Sequence, residues 1–343
     1  MKKIALTAAA VVLAALSFTT LTACSDEPDY GGYMEYIKDD AALGQIVMLG
    51  AHDAGTAEQS DISRTQNSDF AAMLEGGVRY FDCRVTEVRG KLTFVHGDSD
   101  GGFVASPQMI TLDEAVDDIN AFVEQNPSEI VILDFQHTWS ATEDAVIAAL
   151  ENGLVSRGRV LTKELASDPS TVTLGQMRGW GKNIVIVYRT AEKCAQNDFL
   201  YERSSSLQSD YERSVHNVQR TAYETGSQAL IDQFDVYLDT RSGSRLFVLQ
   251  SQITATGWLE EAEALFRGKA NGYLRGLLLP ENADRLAALN IVMRDFAVDD
   301  DIGSDTPASD TMKAILELNY AKGLISEDRA EEFTSAYGIV TEN

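Results

Sequence analysis

Histidine, arginine and aspartate side chains follow several apolar runs of the sequence. His52 and Asp53 follow the first run, Asp82 and Arg84 end the second, and His96 follows the third. Two imidazoles, with ordinary pKa values of about 6.5, can serve as base and acid near neutral pH. A guanidinium offers a fixed fork of donors to a phosphate, and carboxylates can fix the tautomer of an imidazole. Together these residue types suit in-line phosphoryl transfer without a metal ion.

The same histidines also have a structural interpretation, in which each one closes the end of a strand. The chain contains only 4 histidines, however, and three of them (His52, His96 and His137) directly follow strand-like runs. Further polar residues stand after later runs, namely Gln136 beside His137, Arg189 and Asp295. This repeated placement favours a shared site, in which Arg189 offers a second cation.

Strand-like and helix-like segments alternate from residue 44 to residue 322. Strands are predicted at 46–49, 78–85, 92–95, 129–135, 183–188, 245–253 and 290–296, with a possible eighth at 236–238. Helices are predicted at 68–75, 111–126, 140–154, 207–234, 258–267 and 309–322. This alternation is typical of an α/β protein with a mostly parallel sheet, and the number of units favours a closed barrel. No linker rich in Pro, Gly or Ser divides the chain, so we predict a single barrel domain at 44–343. In such a barrel the functional site lies at the carboxyl ends of the strands.

The composition excludes several classes of protein. The 343 residues include 28 Lys and Arg against 53 Asp and Glu, for a formal net charge of −25, and 44% are hydrophobic. A disordered chain, a collagen-like chain and a small disulfide-rich protein each need a different composition. The acidic charge repels phosphate backbones, so we expect no nucleic-acid partner. An anionic substrate must therefore be bound by a few locally placed cations.

The N-terminus is predicted to be a processing signal at 1–23. Lys2 and Lys3 precede an apolar, alanine-rich stretch at 4–18, which is shorter than a typical membrane span. The following residues 21–24 (LTAC) resemble a bacterial lipobox, which implies cleavage before Cys24 and lipid attachment to its sulfur. The protein would then be exported and anchored on the periplasmic or cell-surface side, with 24–43 as tether and N-terminal segment. A plain secretory peptide with an incidental cysteine remains the alternative.

Two further cysteines, Cys83 and Cys194, lie in or near apolar strand-like runs. In an exported protein they are able to pair, but buried free thiols are also common in such places. Both interpretations stay open. The sequence has no Cys-x-x-Cys and no His-Glu-x-x-His pattern, so it indicates neither a zinc ribbon nor a zincin, and no cofactor is predicted.

Four motifs, in order, resemble the X-domain of phosphatidylinositol-specific phospholipase C. They are residues 48–53 (MLGAHD), 74–84 (LEGGVRYFDCR), 94–97 (FVHG) and 126–135 (NPSEIVILDF). The resemblance covers about residues 44–137 and extends more loosely through 247–250 to Asp295. It implies an irregular TIM barrel, in agreement with the alternation of strands and helices. It also implies a monomer that acts on a phospholipid with an inositol headgroup.

The resemblance implies a role for each residue. His52 would take the proton from the inositol 2-hydroxyl, and His96, paired with Asp53, would protonate the departing diacylglycerol oxygen to leave a 1,2-cyclic inositol phosphate. Arg84 matches the arginine that replaces the calcium of eukaryotic members. Two further carboxylates would orient these groups: Asp82 holding Arg84, and Asp295 holding His52.

The chain departs from this pattern after its fourth predicted strand, where bacterial members carry a lysine and this chain has Gln136 and His137. We expect these two residues and Arg189 to bind substrate. One alternative is a glycerophosphodiester phosphodiesterase, but that family needs a metal-binding Glu-x-Asp pair where Asp82-Cys83-Arg84 stands. The other alternative is a non-catalytic surface lipoprotein that binds headgroups on an inherited barrel.

Overall fold

Nine strands form one sheet in the computed structural model, which describes residues 28–61, 63–96, 109–138, 142–209, 239–241, 245–251, 287–298 and 308–340. The strands are β1 (Met48–Ala51), β2 (Val78–Val88), β3 (Lys91–Phe94), β4 (Val131–Thr138), β5 (Ile184–Tyr188), β6 (Leu200–Glu202), β7 (Leu207–Ser209), β8 (Leu246–Gln250) and β9 (Ile291–Arg294). Eight of them are hydrogen-bonded in the order β6-β5-β4-β2-β1-β9-β8-β7, and every pair along that path is parallel. β3 is antiparallel to β2 and stands outside the path.

The eight parallel strands form a nearly closed barrel. The two ends of the path, β6 and β7, follow each other in sequence, and no ladder joins them within the described ranges. The predicted α/β barrel in a single domain is therefore confirmed, and the gap between β6 and β7 accounts for its irregularity. β5 and β8 are buried at every position, as expected for strands covered on both faces.

Helices pack around this sheet. They are α1 (Phe70–Glu75), α2 (Leu112–Gln125), α3 (Glu143–Gly153), α4 (Leu174–Gly179), α5 (Ala191–Gln196), α6 (Arg203–Ser206), α7 (Ala308–Ala321) and α8 (Ala330–Ala336). A capping box opens α2, since the Thr111 hydroxyl accepts from the Glu114 amide and the Glu114 carboxylate accepts from the Thr111 amide.

A 3₁₀ segment, Tyr30–Tyr36, closes the barrel at the amino ends of the strands. Arg79, near the start of β2, donates to the carbonyl of Gly31 at 2.6 Å and from Nε to Glu129 at 2.8 Å. Glu129 also accepts from the amide of Met34. We call this end of the barrel the base, and the opposite end, where the carboxyl ends of the strands lie, the mouth.

The structure corrects the prediction of a helix beginning at residue 207. Leu207–Ser209 is the strand β7, and a second short strand, Leu200–Glu202, also escaped prediction. Three residues are too few to display strand periodicity, so only their pairing with β8 and β5 defines them. The rest of the helix predicted to reach 234, the strand at 236–238, the helix at 258–267 and the signal segment with Cys24 lie outside the described residues.

Both described cysteines, Cys83 and Cys194, are buried free thiols. Burial raises the pKa of each, which keeps them protonated and unreactive. Among the described helices, none combines the length and the apolar character needed to cross a bilayer.

Candidate active site

His52 lies at the mouth, one residue past β1, and its ring is held from both sides. Its Nδ1 is 2.6 Å from Oδ1 of Asp295, which follows β9, and its Nε2 is 3.1 Å from a terminal nitrogen of Arg84 on β2. β1 lies between β2 and β9 in the sheet, so two neighbouring strands supply the two partners. The parallel order of the strands thus brings together residues far apart in sequence.

These contacts define one tautomer of His52. A guanidinium can only donate hydrogen bonds, so Nε2 must accept from Arg84, and the ring proton then lies on Nδ1, where it donates to Asp295. This is the neutral imidazole with its lone pair on Nε2. The arrangement leaves Nε2 as the atom able to take a proton.

Asp53 joins the two predicted histidines. Its Oδ2 lies 2.9 Å from Nδ1 of His96 and 3.7 Å from Nε2 of His52, while its Oδ1 lies 2.5 Å from Nε of Arg84. The Asp53 side chain is fully buried, whereas that of His96 is 32% exposed. His96 is therefore the more accessible of the two imidazoles, and its Nδ1 lies against the Asp53 carboxylate.

Arg84 lies between two carboxylates. Besides Asp53, it contacts Asp82, whose Oδ2 accepts from a terminal nitrogen of Arg84 at 2.9 Å. The pairing of β2 with β4 shifts by one residue between Cys83 and Arg84, so that Arg84 stands opposite His137. Such irregularities re-aim side chains next to functional sites. Here the shift lies directly before Arg84, whose side chain donates a hydrogen bond to Asp82.

The charges of the cluster set its protonation. Burial alone would lower the pKa of His52, but the carboxylates of Asp53 and Asp295 outweigh it and raise that pKa above 6.5. For Asp53, burial acts to raise the pKa, yet Arg84, His52 and His96 hold it far below the ordinary value. Asp53 is thus a permanent carboxylate at neutral pH, and His52 is a base that is easily protonated.

Three of these residues, His52, Asp53 and Asp82, offer ligand atoms within 4.8 Å of one another. The Arg84 guanidinium, however, contacts both carboxylates. A divalent cation at this place would meet the positive charge of Arg84 or would have to displace it. The donor set therefore does not fit a metal ion beside Arg84.

Two residues that the sequence did not single out hold the backbone of the site. The Thr65 hydroxyl donates to the carbonyl of His52 at 3.1 Å, and the Gln66 amide nitrogen donates to the carbonyls of His52 and Arg294 at 2.9 and 3.1 Å. Asp53 has a φ of +44°, an unfavourable conformation for a residue with a side chain. The Thr65 hydroxyl also lies 3.3 Å from the carbonyl oxygen of Asp53, so hydrogen bonds to His52 and Asp53 hold the backbone in this conformation. No periodicity or motif marks Thr65 and Gln66, because their function is to bond main-chain atoms of other strands.

A second buried acid–base group adjoins the first. Asp134 on β4 stands opposite Asp82 in the sheet, and it accepts from the Tyr80 hydroxyl at 2.6 Å and from Nε of Arg203 at 2.9 Å. Burial raises the pKa of Asp134, and Arg203 opposes that rise. Arg203 opens α6 directly after β6. The short apolar run at 199–201 before it is the signal that could have identified this arginine.

The predicted substrate-binding residues form their own group at the ends of β4 and β5. Arg189, which is exposed, donates from one terminal nitrogen to the carbonyl of Gln136 at 3.3 Å and lies 2.9 Å from Nε2 of His137. His137 stands opposite Arg84 in the register of β2 and β4. The structure thus places these three residues next to one another, beside the strand that carries Arg84.

Comparison with known proteins points to one family. No family model matches the chain. The mouse "PI-PLC X domain-containing protein 2" is 36% identical over 85 residues, which cover 24% of this chain and 22% of that protein. The human "PI-PLC X domain-containing protein 3" is 35% identical over 77 residues, 21% of each chain. The matches therefore span about a fifth of the length of these curated relatives.

Solved structures give a longer match at lower identity. The phosphatidylinositol-specific phospholipase C of Listeria monocytogenes covers 84% of this chain and 98% of its own, with a TM-score of 0.57 and 18% identity. A variant of the Staphylococcus aureus enzyme covers 83% and 97%, with a TM-score of 0.58 and 16% identity. At these identities the likeness concerns the fold. The resemblance to the phosphatidylinositol-specific phospholipase C X-domain family that the motifs predicted is therefore confirmed, in sequence over about a quarter of the chain and in fold over most of it.

Proposed function

We propose that the protein is a phosphodiesterase of the phosphatidylinositol-specific phospholipase C type. It cleaves a phosphatidylinositol-type lipid to diacylglycerol and a 1,2-cyclic inositol phosphate. The observation that carries this proposal is the contact of Arg84 with both His52 and Asp53, while Asp53 also contacts His96. A base, an anion-binding cation and an acid with its own carboxylate thus meet within one network, as in-line displacement at phosphorus requires.

In the first half of the reaction, the Arg84 guanidinium turns from Nε2 of His52 to the phosphate of the substrate, and the freed Nε2 takes the proton of the inositol 2-hydroxyl. The hydroxyl oxygen then attacks phosphorus. Asp295 accepts from Nδ1 of His52 and stabilises the imidazolium that forms. Because Nε2 faces Arg84, the hydroxyl that approaches His52 brings the phosphate beside the guanidinium, which stabilises the charge that develops on its oxygens.

In the second half, the bond from phosphorus to the diacylglycerol oxygen breaks, and His96 gives that oxygen a proton. Nδ1 of His96 faces Asp53, so Nε2 is the nitrogen that donates. Asp53 stays ionised because its pKa is lowered, and its carboxylate lies 2.9 Å from Nδ1 of His96, on the side of the ring opposite the donating nitrogen. One histidine gains a proton and the other loses one, so the cluster carries the same total charge before and after the step.

Position supports Gln136, His137 and Arg189 as groups that bind the headgroup, since they lie beside the strand of Arg84. The lipobox-like residues 21–24 support lipidation of Cys24 and a location outside the cytoplasmic membrane. The metal-dependent glycerophosphodiester phosphodiesterase gains no support, because Arg84 already pairs with the carboxylates that would bind the metal.

Phosphorus NMR of the purified protein with phosphatidylinositol, and separately with phosphatidylcholine, tests this proposal. We expect a cyclic phosphate resonance from phosphatidylinositol alone and none with the His52→Ala variant. Release of a non-cyclic phosphomonoester from both lipids would contradict the assignment of the inositol hydroxyl as nucleophile. If neither lipid changes while headgroups still bind, the protein is a non-catalytic lipoprotein.

A further inference from the structure

The first described residues are fixed at the base of the barrel. Asp29 accepts from the Gly31 amide through its side chain and from the Tyr337 hydroxyl through its carbonyl. The Gly31 carbonyl accepts from Arg79, which is buried near the start of β2. These bonds fix the point at which the N-terminal chain leaves the barrel, and that point lies at the end opposite the mouth.

The active-site cluster lies at the other end of the same strand. Arg84 in the cluster lies five positions after Arg79 at the base, and β2 continues to Val88. At about 3.3 Å per residue the nine steps from Arg79 to Val88 measure roughly 30 Å. A strand tilt of about 36° reduces this to roughly 24 Å along the barrel axis. That is the height between the base and the rim of the mouth.

The chain between a lipid on Cys24 and the fixed residue Asp29 is shorter than that height. Five residues, fully extended, span at most roughly 18 Å. With Cys24 at a membrane surface, the base therefore stays next to that surface, and the mouth cannot turn to face it. The net charge of −25 further opposes a barrel lying on its side against an anionic bilayer.

We propose that lipidation of Cys24 holds the mouth away from the anchoring membrane, so that the enzyme cleaves lipid presented by a second, facing membrane. This inference rests on the proposed function and on the anchor. The ordinary expectation for a tethered enzyme is the reverse. An enzyme tethered to a surface meets the lipids of that surface at high effective concentration and should normally prefer them.

Full-length lipidated protein in phosphatidylcholine vesicles provides the test. Phosphatidylinositol is placed either in the same vesicles or in separate ones, at equal exposed amounts. We expect cleavage in the separate vesicles to be at least tenfold faster. A matched variant carries 40 Gly and Ser residues inserted between Asp26 and Glu27. Because such a linker spans roughly 35 Å, it should raise cleavage within the same vesicle at least tenfold.

Two controls separate the possible failures. A soluble aryl inositol phosphodiester reports catalysis without any membrane, and if it is not cleaved, the proposed function fails and this inference with it. The Cys24→Ser variant, which carries no lipid, should cleave both vesicle populations equally. If the soluble substrate is cleaved but lipid in the same vesicle is cleaved as fast as lipid in the other, with or without the linker, the orientation is wrong. Absence of lipid on the wild-type cysteine by mass spectrometry would also overturn it.

Discussion

Two buried arginines of β2, Arg79 at the base and Arg84 at the mouth, carry the same charge but contact different kinds of groups. Arg79 pairs with Glu129, and its other nitrogens donate to the main-chain carbonyls of Leu74, Val78 and Gly31. Its guanidinium also lies over the rings of Tyr33 and Phe122, at 5.0 and 4.7 Å. Arg84 instead pairs with the side chains of Asp53, Asp82 and His52.

The difference shows how one strand serves both stability and chemistry. Partners at the base are one carboxylate, main-chain carbonyls and the faces of two rings, so Arg79 connects the 3₁₀ segment to the barrel in one arrangement. Partners at the mouth are two carboxylates and an imidazole, and the imidazole is able to exchange protons. Changes at the base should therefore affect the free energy of unfolding, and changes at the mouth should affect catalysis.

The largest effect is expected at the histidines of the mouth. His52→Ala and His96→Ala should each lower kcat by about 10² to 10⁴, because general acid–base catalysis contributes about that much. Circular dichroism and thermal unfolding should show an intact fold. His137→Ala, which leaves both proton-transfer groups in place, should be milder, as should His216→Ala, a residue outside the described part of the chain. If His137→Ala matched His96→Ala, the assignment of the acid would be wrong.

Exchanging each arginine for methionine tests the comparison itself. Arg84→Met should lower kcat by about 10² to 10³, as expected when one group that stabilises the transition-state charge is lost. Arg79→Met should instead lower the free energy of unfolding by about 3 to 5 kcal/mol, because it leaves Glu129 buried without its partner. Urea denaturation and steady-state kinetics of both variants provide the two measurements.

A second substitution tests whether the unpaired charge of Glu129 causes the loss of stability in Arg79→Met. The double variant with Arg79→Met and Glu129→Gln removes the uncompensated charge and should recover part of the stability. If Arg79→Met cost activity but no stability, or if Arg84→Met did the reverse, the division of labour between base and mouth would be refuted.

Asp295 should control the pH dependence of the reaction. Burial lowers the pKa of His52, but Asp53 and Asp295 raise it above 6.5. A base must be unprotonated to act, so the acidic limb of kcat/KM should lie above pH 6.5 and activity should fall as pH drops through it. Asp295→Asn removes one of the raising charges, so the limb should move to lower pH while kcat falls about tenfold. Asp39→Asn, at an exposed carboxylate of the base, is the matched control, and an equal shift there would argue against the local cause.

Chelation should have the smallest effect. Arg84 supplies the positive charge beside the phosphate, so excess EDTA or EGTA should change the rate less than twofold in a continuous assay. Complete loss of activity that calcium restores would contradict the metal-free mechanism.

The sequence predicts the barrel because several strands are short continuous apolar runs, such as 130–133 and 184–188, and these runs alternate with helical segments. The sequence also identifies His52, Arg84, His96 and Asp295 as candidate site residues. Each stands at the end of a predicted strand, and parallel strands end at the same edge of the sheet. The sequence does not reveal Thr65 or Gln66, which act on carbonyls of other strands, because hydrogen bonds to main chain leave no pattern in sequence. Arg203 escaped notice because β6 has only three residues.

The reactivity of the leaving group tests the central claim, the division of base and acid between the two histidines, most directly. An aryl inositol phosphate has a good leaving group that needs little protonation, so kcat of His96→Ala should recover by at least tenfold relative to the natural lipid. His52→Ala should recover far less, because the 2-hydroxyl still has to lose its proton. Equal rescue of both variants, or rescue of His52→Ala alone, would contradict the roles proposed for the two imidazoles.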